Sequence, residues 1–299
     1  MNKNKIIFFA LCFCTITLMQ AQTINLSFNP TEGETYSYRF SNKQEMTQNV
    51  MGQSIVMNIA MDIVTEMSVK EKTADKISMD YVYTELIVDI SSPMMTIRYN
   101  SATGEEFASG MDIYLHQLYG ALLGKPMNVV FSSNGTVISV SGFDVIMDEI
   151  RKNTLSENPA MQAMADGLLQ AFNEDAMKQI LEQSFVMYPQ KAITIGDSWS
   201  SDISSNIAGM SSISTNTYTL VSVKDDVVFF DVVSTSKTTP NEGMEGEMTG
   251  EFKGKMSLEV ETGMVIGLNL VGNVSGTLFV QGMAISTHGD SQSTVTLER

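Results

Sequence analysis

An α+β fold is predicted for this chain: a long curved antiparallel sheet, formed by an internal duplication, with helices at about 111–123 and 143–188 covering its apolar face. Three observations carry that expectation. Long segments alternate apolar and polar residues with a period of two, as half-buried strands do. Two regions near the middle of the chain switch to spacings of three and four, as amphipathic helices do. Strands and helices do not alternate, which argues against a doubly wound parallel sheet and for antiparallel strands with grouped helices.

The clearest strand pair runs from Met244 to Val280. On its first arm Met244, Met248, Phe252, Met256 and Leu258 share one face with Gly246, Gly250 and Gly254, while Glu245, Glu247, Glu251, Lys253 and Lys255 share the other. The turn Glu261-Thr262-Gly263 suits a short hairpin loop with glycine in the left-handed region, and it predicts a register that sets Phe252 against Gly272, Gly254 against Leu270 and Met248 against Gly276. Large residues then meet small ones on a single face, a pattern that pins a bent sheet.

Upstream, Thr23 to Phe28 alternates, and Gly33-Glu34-Thr35-Tyr36 opens a strand with Tyr36, Tyr38 and Phe40 on one side. A turn near Val50-Met51-Gly52 leads to a strand bearing Ile55, Met57, Ile59, Met61, Ile63, Met67 and Val69, interrupted only by Thr65. Ile77 to Ile90 is a third strand and Met95 to Tyr99 a short fourth. Met111, Tyr114, Leu115, Leu118 and Leu122 then recur at helical spacing until Gly124-Lys125-Pro126. A hairpin turns at Asn134-Gly135. Phe143, Ile146, Met147 and Ile150 start the helical connector, Pro159 suits the first position of a further helix and Asn173 caps another. In the last third, Thr217 to Ser234 is a hairpin turning at Asp225-Asp226, Thr238 to Gly243 is a polar loop, and Met283–Thr287 and Ser293–Leu297 are two short closing strands.

Landmarks of the first half recur in order in the second. Gly33-Glu34-Thr35-Tyr36 is echoed by Gly196-Asp197-Ser198-Trp199, Asn49-Val50-Met51-Gly52 by Asn206-Ile207-Ala208-Gly209, and Asn134-Gly135-Thr136-Val137 by Thr262-Gly263-Met264-Val265. The expected organisation is a signal peptide over 1–21, a β-rich module over 22–142 with one inserted helix, a helical connector over 143–188 and a second β-rich module over 189–299.

The signal peptide is read from two lysines before the apolar run Ile6 to Met19 and from Ala21 at the cleavage point. Both cysteines, Cys12 and Cys14, lie inside that run. The mature chain is thus expected to hold no disulfide, thiolate metal site or cysteine nucleophile. It is expected to have no integral membrane span, because no other stretch approaches twenty apolar residues. A formal net charge of −16 without any basic stripe argues against nucleic acid as a partner.

The chemistry-bearing residues are few. His116 falls on the polar side of its helix, and His288 precedes Gly289-Asp290 in an expected turn; neither sits in a nucleophile or metal-binding motif. Glu242, Glu245, Glu247 and Glu251 suggest a calcium cluster, but Glu245, Glu247 and Glu251 read as the wet face of a strand and the twelve-residue calcium loop is absent. Met57 with Met61, and Met161 with Met164, are spaced as soft-metal ligands but also fall where an apolar core is needed. No catalytic, cofactor-binding or metal-binding residue is assigned, no cofactor is expected, and the ligand-binding residues are left open.

The signal segment, the Gly-Glu-Thr-Tyr opening, its Gly-Asp-Ser-Trp echo and the Thr-Gly turn of the last hairpin resemble an uncharacterised family of exported bacterial proteins described only as a domain of unknown function. That resemblance implies no activity. The general plan of a curved antiparallel sheet with helices on one side is also similar to that of the periplasmic lipoprotein carriers, a likeness of architecture. The functional expectation is a non-enzymatic protein exported to the periplasm, the cell envelope or beyond. It would bind an apolar ligand, lipid or lipidated, between sheet and helices. The alternative is a structural or protein–protein interaction protein of the envelope with a fully packed core.

Overall fold

The computed structural model describes residues 23–93, 96–103, 111–132, 135–153, 178, 181, 187–189, 191–207, 210–241, 244–280 and 282–298. The expected signal peptide and most of the expected helical connector beyond Asn153 lie outside them. The strands are β1 (Thr35–Val50), β2 (Gln53–Lys72), β3 (Lys76–Ser91), β4 (Thr96–Asn100), β5 (Met127–Ser132) and β6 (Val137–Ser141), then β7 (Ser198–Ile207), β8 (Met210–Lys224), β9 (Val227–Pro240), β10 (Met244–Glu259), β11 (Val265–Val280) and β12 (Met283–Glu298). Two short helices, α1 (Met111–Leu122) and α2 (Phe143–Asn153), separate β4 from β5 and follow β6.

The α+β expectation is therefore overturned. Among the described residues the chain is mainly β, and its helices are minor. They do not spread along the sheet. α2 places Phe143, Ile146, Met147 and Ile150 against Met127, Val129, Val137 and Val140 at one end, while α1 rests on β4, where Tyr119 meets Tyr99 with ring centroids 5.3 Å apart. The helical periods were read correctly over these two elements, but the strands are longer than the apolar alternation alone reveals. Serine- and threonine-rich stretches that lack an apolar stripe continue as strand because cross-strand hydroxyls pair: Ser198 with Thr219 and Ser200 with Thr217, both at 2.8 Å, and Thr238 with Ser212 at 3.0 Å.

All twelve strands join one antiparallel sheet in the order β6-β5-β3-β2-β1-β12-β11-β10-β9-β8-β7, with β4 added beside β3. The first long strand and the last thus lie side by side near its middle, with Phe40 opposite Val295 and Asn42 opposite Ser293. The β10–β11 register matches the sequence expectation: Phe252 faces Gly272, Gly254 faces Leu270 and Met248 faces Gly276. Gly263 takes φ 68° in the connecting loop, and a bulge at Ser257/Leu258 absorbs one residue beside it.

Two segments differ from expectation. β12 is one unbroken strand rather than two short ones; His288-Gly289-Asp290 reads as a turn, yet it is paired on both sides, by β1 and by β11. β9 extends to Pro240, into the expected polar loop.

The core lies on one face of the sheet, the inner face. Phe28, Met79, Met127, Phe131 and Ile146 are at its centre toward β5 and β6, and Leu220, Val228, Phe230 and Leu258 form a second cluster toward β8–β10. On the outer face Arg39 ties four strands together. Its guanidinium donates to Glu298 at 2.6 Å, to Glu85 at 3.2 Å and to Asp62. These three carboxylates hold the guanidinium pKa above its ordinary value, with Glu298 the largest cause. Among the described residues no helix is long and apolar enough to cross a membrane, a statement that does not extend to strands.

Candidate functional site

A cavity of about 540 Å³ opens on the inner face, within the usual range for a small-molecule site. Tyr81 on β3 and Asn216 and Tyr218 on β8 both line it, although six strands lie between β3 and β8. In a flat sheet those strands would stand roughly 30 Å apart. Sharing one cavity means the sheet curls around it. Phe40, Met67, Val232, Met256, Leu268 and Leu270 give it apolar walls, and Thr65, Asn216 and Ser293 place neutral polar groups at its edge.

One side is closed by residues at the end of the expected connector. Leu181, Met187 and Tyr188 reach the cavity. The Tyr188 hydroxyl donates to the Gly263 carbonyl at 2.9 Å, and Trp199 Nε1 donates to the Met187 carbonyl at 3.0 Å. Trp199 also stacks on Tyr218 at 5.4 Å and meets Phe230 edge-on. The only tryptophan of the chain is thus a structural clasp. These contacts fix the segment 187–188 against the β10–β11 loop and against β7, so the cavity wall is built into the fold.

The cavity tyrosines stay neutral. Burial raises the phenol pKa of Tyr38, Tyr81, Tyr188 and Tyr218 above the ordinary value near 10. An acid whose folded pKa is raised keeps its proton in the native state after the unfolded chain has released it, so these groups favour folding below pH 10 and lose that contribution as pH climbs past it. Urea midpoints are expected to fall between pH 9 and pH 11. Phenolate absorbance should show part of the nine tyrosines ionising only as the protein unfolds.

The residues weighed for chemistry do not assemble. His116 is half-buried with its ring edge-on to Tyr99 at 4.8 Å, a packed position rather than a solvated one. His288 is exposed in the middle of β12, opposite Thr47 and Ser275. Glu245, Glu247 and Glu251 lie on the exposed face of β10, with Glu247 paired to Lys237 at 2.6 Å. Asp225 and Asp226 form the β8–β9 turn with φ 50° and 62°. Met57 and Met61 are four residues apart on a strand, about 13 Å; Met57 is set against Met46 of β1 instead. Met161, Met164 and Glu242 lie outside the described residues. Among the described residues no group of three His, Cys, Asp or Glu is placed to hold a metal ion.

Several lining residues are visible in the alternation as members of single faces: Tyr38, Phe40, Met67, Met256 and Leu270. Asn216, Ser293 and Tyr188 were not singled out. The signal available for the first two was their place two residues before an inward apolar residue of the same strand, Tyr218 for Asn216 and Val295 for Ser293.

Fold and cavity together define a curled, single-sheet antiparallel β protein with an apolar chamber on its inner face. The chain belongs to the Family of unknown function (DUF6263), whose model matches residues 74–265. No curated protein matches it. Among solved structures it is similar to lipovitellin, in a study of lipid–protein interactions, with 10% identity and a TM-score of 0.44 over 90% of this chain and 25% of that one. The chain therefore spans about a quarter of the length of the lipovitellin chain. An outer membrane channel from Pseudomonas putida F1 shows 7% identity and a TM-score of 0.25 over 91% of this chain and 98% of that one. OccK5 (OpdH) of Pseudomonas aeruginosa shows 6% identity and a TM-score of 0.21 over 91% and 100%. At these scores the three structures carry no argument about function.

Proposed function

We propose that this protein is a non-enzymatic binding protein of the cell envelope that holds an apolar ligand, lipid or lipidated, in the cavity enclosed by the curled sheet. The observation that carries this reading is the chamber itself: about 540 Å³ walled by Met256, Leu268, Leu270, Val232 and neutral tyrosines. Methionine adapts its shape to irregular apolar guests, and buried phenols offer hydrogen bonds without charge. Export by the segment 1–21, and the division into modules 22–142 and 189–299 around a connector, belong to the same proposal. Equivalent backbone bonds at the two module starts support the division: Gly33 N–H to Val69 O at 3.0 Å and Gly196 N–H to Leu220 O at 2.8 Å.

Leu270 sits between Gly254 and Ser293 on the inward face, so Leu270→Trp directs an indole into the chamber. An environment-sensitive apolar dye is expected to bind the native chain and to bind the variant at least about tenfold more weakly, with the far-ultraviolet dichroism of both unchanged. Equal dye binding by the two proteins contradicts the assignment of the cavity.

A further inference from the structure

Among the described residues, the inner face carries no charged side chain in the rows that run from the cavity at Phe40 to the sheet end at Val50. Between the row of Phe40 and the row of Val50, the strand registers identify every inward position on β1, β2, β3 and β7 through β12. None of these positions is Asp, Glu, Lys, Arg or His. In the same rows the charged side chains, among them Glu45, Asp62, Asp231, Glu247 and Asp290, occupy the alternate, outward positions. For a chain of net charge −16, this is a strict division of the two faces.

Yet the inner face is not uniformly apolar. Next to the wall of Met256, Leu268 and Leu270 comes a belt of neutral hydrogen-bonding groups: Asn42, Gln44, Asn216, Ser234, Ser291 and Ser293. Their order follows from the ladder, with Asn42 opposite Ser293, Gln44 opposite Ser291 and Asn216 opposite Ser234. Asn42 is 7% exposed, and its amide donates to Ser293 Oγ at 2.8 Å and Ser291 Oγ at 3.3 Å. That amide orients the two hydroxyls from the neighbouring strand. Asn216 and Ser293 also line the cavity, so the belt and the apolar wall are parts of one surface.

A charged head group drawn onto this belt gives up hydration and meets no counter-charge. An uncharged head bearing hydroxyls or amides meets both donors and acceptors. We infer that the ligand is a neutral amphiphile, with its alkyl or acyl chain in the chamber and an uncharged, hydroxyl- or amide-bearing head on the Asn216–Ser293 belt. This rests on the apolar-ligand reading above and adds the class of head group.

The test is calorimetric titration of the full protein with three probes of one chain length: a monoacylglycerol, the fatty-acid anion and the alkyltrimethylammonium cation, with an apolar dye as a fourth arm. The monoacylglycerol is expected to bind at least about tenfold more tightly than either charged probe, because a partly desolvated charge costs more than a neutral hydroxyl. Asn216→Leu should weaken the monoacylglycerol several-fold and leave the dye unchanged. A charged probe that binds as tightly as the neutral one, while the dye still binds, overturns the head-group inference and leaves the apolar-ligand reading standing. Failure of every probe, the dye included, overturns both. The comparison of probes on the unmutated chain decides the matter even if the variant does not fold.

Discussion

Replacing Gly272 by valine is expected to destabilise the protein by about 3 kcal/mol or more, a large share of the stability of a marginally stable β domain. The reason is local and steric. A Cβ added at Gly272 would lie 2.0 Å from the Glu251 carbonyl oxygen and 2.6 Å from both Cα and Cδ1 of Phe252. Two of these neighbours are backbone atoms of the adjoining strand, so moving a flexible side chain aside gives no relief. Gly254 repeats the situation on the opposite arm, where an added Cβ would meet the Asn269 carbonyl oxygen, and Gly254→Val should behave alike. On the outer face next door, Val271 is 50% exposed, and Val271→Thr should change stability by no more than about 0.5 kcal/mol. Urea titrations followed by circular dichroism measure all three. A Gly272→Val protein with a native midpoint would mean that the hairpin does not hold this geometry.

Phe131→Ala is expected to cost about 3–5 kcal/mol. Phe131 is 1% exposed, and its ring lies 5.0 Å from that of Phe28, which in turn lies 6.2 Å from Tyr188. This aromatic chain joins three pieces of backbone: β5, the extended segment before β1, and the end of the expected connector at Tyr188. Removing the Phe131 ring leaves a void whose walls are held by the sheet and α2, so little collapse can offset the loss. Phe28→Ala should cost a similar amount, and the double variant should cost less than the two single losses together, because both remove the same contact. Additive losses would show that the two rings act independently.

Strand positions were legible from the sequence wherever one face of a strand is apolar and the other charged. β2, β3 and β10 are of this kind, and for β10 and its partner β11, whose outer face is neutral, even the register was readable, since glycines and large residues alternate along both arms. What hid the fold class was polarity on the inner face itself. β7 and the first half of β8 carry serine and threonine on both sides, and β12 bears Gly289 where a turn is the local preference; only pairing with neighbours on either side makes these segments strands. The cavity was half legible. Tyr38, Phe40, Met256 and Leu270 could each be set on an inward face. That Phe40 meets Val295 could not, because pairing of the first long strand with the last is a contact between distant parts of the chain, and no local pattern encodes it. The helices were over-weighted for the converse reason: helical spacing is a strong local signal even where the element is only three turns long and covers one end of a sheet.

The central claim is that the chamber inside the curled sheet holds an apolar guest. Native mass spectrometry of the full protein, purified without detergent or denaturant from the cells that express it, addresses that claim most directly. The account predicts a population heavier than the polypeptide by the mass of a small apolar molecule, released when the protein unfolds and much reduced in Leu270→Trp. A protein that emerges repeatedly at the bare polypeptide mass and takes up no added monoacylglycerol or dye would contradict it.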